Sequence, residues 1–110
     1  IHSGLTLEAV EQYVRANCRS CEFSLQSIAE HFRVSEPYIS RFFKNAAGQK
    51  LIDYYTDLRM QCASELLTDT ELPLREIAVR VGYFNLSSFI RRFKQYYGVT
   101  PGEYKNQNKK

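Results

Sequence analysis

Cys18 and Cys21 are the first side chains in this sequence whose spacing could do chemistry. Two cysteines separated by two residues occur in zinc sites and in redox pairs. A structural zinc site needs four ligands, and no second pair follows. His31 lies beside an apolar helix face and His2 at the terminus, so neither histidine supplies a third ligand. We therefore interpret the pair as small, partly buried residues at a helix end, and we expect no metal and no cofactor.

The cysteine count also bears on the compartment. Three cysteines are an odd number, and no charged-then-apolar leader opens the sequence, so we expect free thiols and a cytoplasmic protein. The apolar runs are only a few residues long, far short of the ~20 that span a bilayer, so no membrane association is expected. The sequence begins with Ile1, which favours an excised domain or a processed fragment.

Catalytic arrangements are missing from the sequence. It contains no Ser-His-Asp set, no glycine-rich phosphate loop, no H-E-x-x-H motif and no paired-carboxylate arrangement. Asp53 and Asp57 lie four residues apart on a predicted helix surface, where solvated carboxylates are common. A chain of 110 residues also leaves little room for a large enclosed substrate cavity. We therefore expect that the protein is not an enzyme.

Basic side chains are the remaining chemical signal, and they are unevenly distributed. The chain has a net charge of +3. Residues 31–50 contain four basic residues against one acidic residue, and residues 77–98 contain four basic residues and no acidic one. The remainder of the chain is net negative. Positive charge focused on two segments is typical of a nucleic-acid-binding protein, because phosphate neutralisation needs basic residues on one face.

The elements that must position these residues are helices. The chain is 44% apolar, which excludes disorder. Apolar residues recur at helical spacing and no stretch alternates with period two, so we predict an all-α fold. The first helix falls between residues 5 and 17, and the longest runs over residues 50–67. Predicted N-caps are Ser24, Ser35, Asn85 and Thr100, predicted ends are Gly48, Gly82 and Gly98, and Pro73 is predicted at a first helical position.

Two segments of about 50 residues resemble each other. Residues 25–29 recur at 74–78 with an offset of 49, whereas residues 41–54 recur at 91–104 with an offset of 50. A one-residue insertion therefore falls in the turn 82–85. Each copy is a short helix, a turn of about three or four residues and a second helix, which is the helix-turn-helix pattern.

The repeat predicts how the chain is organised. We predict a first helix-turn-helix module in residues 1–49 and a linker helix in residues 50–67. A second module follows in residues 68–106, and residues 107–110 form a loose tail.

The second helix of each module has a polar face opposite its apolar stripe. A recognition helix presents its N-terminal side chains to base edges and its flanks to phosphates, and arginine can bind guanine bidentately. An arginine recurs at the same place in both copies, which favours a binding role over a merely solvated charge. The polar faces consist of Tyr38, Ser40, Arg41 and Lys44 in the first module and of Ser87, Ser88, Arg91, Arg92 and Lys94 in the second.

Several motifs of the sequence occur together in one known family. They are the tandem repeat, residues 82–94 (GYFNLSSFIRRFK) and residues 98–104 (GVTPGEY), and the first half agrees through Ser35, Tyr38, Ser40, Arg41, Phe43, Lys44 and Gly48. With these motifs the chain resembles the C-terminal DNA-binding domain of AraC/XylS-type bacterial transcription regulators. The resemblance implies about seven helices, two modules joined by a long helix, sequence-specific binding of double-stranded DNA and control of transcription initiation.

The resemblance also implies which residues contact DNA. The third and sixth helices read bases in this family, which places Pro37, Ser40 and Arg41, and Leu86, Ser87, Ser88 and Arg91, at base-reading positions. The flanking Tyr38, Lys44, Arg92 and Lys94 complete the predicted DNA-binding set. Pro37 has no side-chain donor, so we expect apolar contact there. Ser88 and Ile90 depart from the family pattern of an aromatic and a small polar residue, which alters the expected base preference.

Further partners follow from the same resemblance. Control of initiation adds RNA polymerase as an expected partner. Family members often carry an N-terminal effector-sensing or dimerisation domain, which we expect outside this chain. The alternative hypothesis is a helical protein-interaction module whose basic faces bind an acidic protein. Competition by specific and bulk DNA separates the two, because phosphate contacts carry no sequence information and base contacts do.

The tandem arrangement generates a prediction about the DNA site. Two helix-turn-helix modules on one chain are expected to enter successive major-groove segments, so one chain should protect an asymmetric site of about 20 base pairs. Footprinting on a site selected from random duplexes measures this. Protection of a single half-site, or a strict requirement for a palindrome, would contradict the prediction.

Overall fold

The computed structural model describes residues 5–108, and this part of the chain is all-α, as predicted. It contains seven helices and no strand over the described range. The helices are α1 (Leu7–Asn17), α2 (Leu25–Phe32), α3 (Glu36–Ala47), α4 (Leu51–Asp69), α5 (Leu74–Arg80), α6 (Leu86–Tyr97) and α7 (Pro101–Gln107).

The helix starts follow from side-chain caps. All four predicted N-caps are confirmed, and Thr6 caps α1 in addition. Each cap accepts a hydrogen bond from a backbone N–H three residues later, and such a cap stabilises a helix by about 1 kcal/mol. The distances are 3.1 Å at Ser24, 3.1 Å at Ser35, 3.0 Å at Asn85 and 3.1 Å at Thr100.

The last cap includes a charged group. The N–H of Thr100 donates to the carboxylate of Glu103 at 2.9 Å and closes a capping box at the start of α7. This backbone hydrogen bond, followed by the Thr100 hydroxyl and the charge of Lys94, lowers the pKa of Glu103. A lowered pKa means that this cap stabilises α7 above the ordinary pKa of a glutamate, and that the stabilisation is lost as the pH falls through the lowered value.

Helix ends differ from the predictions at α5 and α7. Pro73 is the N-cap of α5 rather than its first residue, since its extended backbone (ψ 154°) precedes the helix. The C-cap of α5 is Val81, and Gly82 follows it with a φ of +109°. The last helix continues to Gln107 because Asn108 donates to the Tyr104 carbonyl at 3.1 Å and closes its last turn. Of the predicted tail, residues 107–110, Gln107 therefore belongs to α7 and Asn108 is its C-cap, and residues 109–110 lie outside the described residues.

The linker helix is longer than predicted. Helix α4 ends at Asp69, two residues past the expected end at residue 67. Threonine hydroxyls in this stretch satisfy helix carbonyls: Thr68 donates to the Ser64 carbonyl at 3.1 Å and Thr70 to the Leu66 carbonyl at 2.6 Å. The Leu66 carbonyl also accepts a hydrogen bond from the N–H of Thr70 at 3.2 Å, which continues the helix to Asp69.

The chain divides into two compact units. The first consists of residues 1–18 and 22–58, and its described part buries one side of α1, α2 and α3 together with the start of α4. Ile39 and Phe43 of α3 are fully buried in this core. At its edge the ring of His31 stacks on Tyr13 at 3.9 Å. The imidazole ring of His31 thus packs against the aromatic ring of Tyr13.

The second unit consists of residues 19–21 and 59–110. Its core contains α4 from Met60 onward and the inner faces of α5 and α6. Phe93 of α6 is fully buried, with its ring 4.6 Å from Tyr97 and 5.4 Å from Tyr104. The Tyr97 hydroxyl donates to the Met60 carbonyl at 3.0 Å, which pairs its polar end inside the unit.

The second unit also contains a buried arginine. Arg59 is 7% exposed, and its Nη2 donates to the Ser20 carbonyl at 3.2 Å. The guanidinium lies over the ring of Tyr83, 5.1 Å from its centroid. A Cβ atom at Gly82 would come within 2.7 Å of the Arg59 Nε. The turn before α6 therefore requires glycine for its positive φ and for the approach of this guanidinium.

This packing predicts a difference between two glycines. Gly98 also has a positive φ, of +82°, but an added Cβ there meets nothing within 4 Å. We expect Gly98→Ala to cost about 1 kcal/mol from backbone strain alone. Gly82→Ala adds displacement of the Arg59 guanidinium and should cost at least about 2 kcal/mol. Urea unfolding measures both. Equal losses would show that the guanidinium does not constrain this turn.

Candidate nucleic-acid interface

Helix α3 fixes the direction of its polar face by burying the opposite one. Ser35 caps the helix, Ile39 and Phe43 are fully buried, and Arg41 and Lys44 are exposed as a result. Side chains on the remaining face of an amphipathic helix point to solvent. The predicted arginine therefore stands on the outer surface of the first unit, six residues after the cap.

A groove of about 390 Å³ brings together four of the predicted residues on this unit. Its floor is largely apolar, and three cationic side chains line it. The groove is formed by Leu25, Pro37, Ser40, Arg41, Lys44, Lys50, Leu51 and Ile52. The exposed ring of Pro37 and the basic side chains thus lie on one surface.

Helix α6 repeats this construction in the second unit. Asn85 caps it, Phe89 and Phe93 are fully buried, and Arg91 and Arg92 are exposed. A groove of about 260 Å³ gathers three of the predicted residues with two others, and it is formed by Tyr83, Ser88, Arg91, Arg92 and Gln95.

The remaining predicted residues lie on the same helices outside these grooves. Tyr38 is 41% exposed and occupies the third helical position of α3, as Ser88 does in α6. Ser87 and Lys94 are exposed. Leu86 is half-buried against the core of the second unit, so only part of its side chain is available to a partner.

Charge pairing divides the basic residues into two groups. In residues 5–108, no acidic side chain forms an ion pair with Arg41, Lys44 or Arg91. Arg80, which belongs to the positive segment of the sequence, is instead paired with Glu76 on α5 at 3.3 Å. Within the described residues, Arg41, Lys44 and Arg91 are therefore available to a partner, whereas Arg80 already has an acidic neighbour.

Helices α3 and α6 differ at their N-termini. The partial positive charge of a helix N-terminus attracts phosphate, and an acidic side chain in the first turn offsets it. Helix α6 has no acidic residue in its first turn, whereas α3 has Glu36. The second helix thus has the more favourable end for an anion.

Several residues of these surfaces were missed by sequence reasoning. Lys50 and Ile52 follow α3 in the chain and line the first groove, and Tyr83 and Gln95 line the second. Gln95 could have been found, because it lies four residues after Arg91 and therefore on the same helix face. Lys50 belongs to the basic segment of residues 31–50, but the sequence does not indicate that α4 starts beside the groove.

The chain matches known proteins over most of its length. A family described as a helix-turn-helix domain matches residues 28–107. The C-terminal domain of AraT, a response regulator from Geobacillus stearothermophilus, is 39% identical, with a TM-score of 0.87, over 92% of this chain and 84% of that chain. This chain belongs to the AraC/XylS-type helix-turn-helix family.

Two other relatives of this AraC/XylS-type domain have similar identity. The C-terminal domain of the two-component response regulator yesN from Fusobacterium nucleatum is 35% identical, with a TM-score of 0.86, over 89% of this chain and 95% of that chain. The HTH-type transcriptional regulator YdiP of Escherichia coli is 35% identical over 88% of this chain, and the chain spans 32% of its length. The domain thus corresponds to about a third of that regulator.

The relatives also include a protein with an enzymatic name. The bifunctional transcriptional activator/DNA repair enzyme AdaA of Bacillus subtilis is 28% identical over 94% of this chain, which spans 48% of its length. Three other matched relatives, YtdP of Bacillus subtilis and YdiP and YpdC of Escherichia coli, are named HTH-type transcriptional regulators.

The C-x-x-C pair of this AraC/XylS-type domain lies at the end of α1. Cys18 is the buried C-cap of that helix, and Cys21 is half-buried with its thiol 3.6 Å from the Val79 carbonyl. Over residues 5–108, no three His, Cys, Asp or Glu side chains come together to hold a metal ion. Over the same residues, no helix has the length and apolar character needed to cross a membrane.

These positions generate a prediction about metal. We expect the purified domain to carry no stoichiometric zinc, and its melting temperature to be unchanged by a chelator, because a structural site would need four ligands. The variant for the test is Cys21→Ser, since replacing the buried Cys18 would also disturb the core. Metal analysis that finds about one zinc per chain, lost in this variant, would contradict the prediction.

Proposed function

We propose that this domain binds double-stranded DNA in a sequence-specific manner and regulates bacterial transcription initiation. The observation that carries the proposal is the repeated exposure of one arginine. Arg41 and Arg91 stand six residues after the caps of α3 and α6, opposite two fully buried residues of the same helix. Membership of the AraC/XylS-type family supports the same function.

The two kinds of basic side chain are suited to different contacts. Arginine presents a planar fork of donors that matches the guanine O6 and N7 atoms, whereas a lysine ammonium acts as a point charge on phosphate. Arg41 lines the groove beside Ser40 and Pro37, so a base edge could be read by a donor fork and flanking small groups. Lys44 and Lys94 lie three residues further along and suit phosphates.

The two modules are proposed to bind different segments of the DNA site. We assign one segment of the DNA site to residues 1–49 and another to residues 68–106, with residues 50–67 as the linker. Glu36 in the first turn of α3 has no acidic counterpart in α6. The second module should therefore derive more of its affinity from phosphate contact at its helix N-terminus.

An enzymatic role is not part of the proposal. The two grooves are lined by arginine, lysine, tyrosine, serine, glutamine and apolar side chains, and neither lining includes a histidine or a carboxylate, the commonest general acids and bases. The alternative function is a protein-interaction module for an acidic partner. Arginine also pairs bidentately with carboxylates, so the two functions differ in whether binding depends on base sequence, which the variants below test.

The proposal extends from this domain to the longer protein that contains it. The chain spans 11% and 32% of the length of two of its relatives, YtdP of Bacillus subtilis and YdiP of Escherichia coli. We propose a cytoplasmic regulator whose further domain senses an effector or dimerises, and which acts on RNA polymerase at the promoter.

Four variants test base reading against phosphate binding. Arg41→Ala and Arg91→Ala should each cost about 1–3 kcal/mol on the preferred duplex and relax base preference locally. Lys44→Ala and Lys94→Ala should weaken all sequences alike and lower the salt slope by about one. Binding isotherms on specific and scrambled duplexes at several salt concentrations measure these effects. Arg80→Ala is the matched control, because Arg80 is paired with Glu76.

The outcomes separate the hypotheses. Equal losses on both duplexes for the two arginine variants would reduce Arg41 and Arg91 to phosphate contacts. If no duplex is preferred over bulk DNA, the proposed sequence-specific function is wrong and the protein-interaction alternative takes its place.

A further inference from the structure

The turn of the second module contains one residue without a counterpart in the first. The backbone identifies it. The N–H of Val34 donates to the Ala29 carbonyl at 3.0 Å, and the N–H of Tyr83 donates to the Ala78 carbonyl at 2.8 Å. These bonds are equivalent at an offset of 49, so Val34 corresponds to Tyr83.

The helix caps that follow are equivalent at a different offset. Ser35 caps α3 and Asn85 caps α6, an offset of 50. No residue separates Val34 from its cap, whereas Phe84 stands between Tyr83 and Asn85. The insertion that the repeat places in the turn 82–85 is therefore Phe84.

Phe84 does not belong to the hydrophobic core of the second unit. Its side chain is 76% exposed, the highest value among the exposed large apolar residues of the described chain. An apolar residue directly before an N-cap often packs onto the fourth helical position as a hydrophobic staple. Here the fourth position is Phe89, and the ring that packs against it, at 5.8 Å, is that of Tyr83. The staple is thus already filled without Phe84.

The position of Phe84 points to DNA as its partner. It directly precedes α6, whose first turn has no acid and whose exposed face carries Arg91, Arg92 and Lys94. In a helix-turn-helix, residues at the N-terminal end of this helix approach the base edges. The phenyl ring of phenylalanine has no hydrogen-bonding group, but it makes apolar contact with the C5-methyl group of thymine.

We propose that Phe84 is a specificity-determining residue that contacts a thymine methyl group in the DNA segment read by the second module. This inference rests on the proposed function, and it makes the two modules unequal. The first module has no inserted residue, and its Val34 is half-buried against its own core. A preference for thymine at this position should therefore be confined to the second half of the site.

The test replaces thymine with deoxyuridine, which removes the methyl group and leaves the base pairing unchanged. A preferred duplex is first selected from a random library, and each thymine of the second segment is then changed to deoxyuridine in turn. We expect the unsubstituted protein to lose about three- to fivefold in affinity at one position, the value of one buried methyl group. Phe84→Ala should lose about the same factor in affinity on the thymine duplex. On the deoxyuridine duplex it should bind as tightly as the unsubstituted protein does.

Val79→Ala is the matched control. Val79 is 47% exposed and belongs to the same unit, but it lies on α5 rather than at the start of α6. This variant should keep the full response to deoxyuridine. Both variants should melt close to the unsubstituted protein, because neither side chain is in the core, and Phe84→Ala should leave the salt slope unchanged, because a methyl contact releases no counterion.

Three results would overturn the inference. Phe84→Ala could lose affinity equally on thymine and deoxyuridine duplexes, which would assign the ring to the sugar-phosphate backbone. It could bind every duplex as the unsubstituted protein does, which would leave Phe84 for a protein partner. Its loss could also be matched by Val79→Ala. In each case the unsubstituted protein would still prefer its selected duplex, whereas failure of the proposed function would abolish that preference.

Discussion

The burial of one phenylalanine in each module determines how the functional surface is presented. Phe43 in α3 and Phe93 in α6 are fully buried, and each lies two residues after the arginine and one residue before the lysine of its helix. At 100° per residue, this spacing puts the basic side chains on the face away from the core. Rotating the helix to bring the arginine inward would bury an unpaired charge and expose an aromatic ring. The core therefore sets the direction of the basic face.

The first residue of α3 and of α6 is fixed as firmly as the rotation of each helix. Ser35 and Asn85 accept backbone hydrogen bonds at 3.1 Å and 3.0 Å, which locates the first helical turn in the chain. Side chains at the tip and at the sixth position then have defined places. In the second module the turn before the cap is further constrained, because Gly82 leaves room for the Arg59 guanidinium. The position of each helix start in the chain thus depends on a local hydrogen bond and, in the second module, also on close packing beneath the turn.

The two modules share a framework but differ in the residues that face a partner. Glu36 stands in the first turn of α3, and α6 has no acidic residue there. The first groove is larger and mostly apolar, whereas the second is formed by tyrosine, serine, arginine and glutamine. The insertion of Phe84 adds an exposed ring to the second module. The two copies thus share their core positions and the exposed arginine and lysine of the second helix, whereas the other exposed residues differ because packing does not constrain them.

The sequence by itself determined the seven helices, four caps and the exposed positions of Arg41 and Arg91, because these depend on residues within one or two turns of each other. It also placed the insertion within a four-residue turn. Tertiary structure decided the rest. It identified Phe84 as the inserted residue, paired Arg80 with Glu76, buried Arg59 under Gly82, and brought Lys50 to the first groove. These features depend on contacts between separate turns and elements, and the local pattern of side chains carries no record of such contacts.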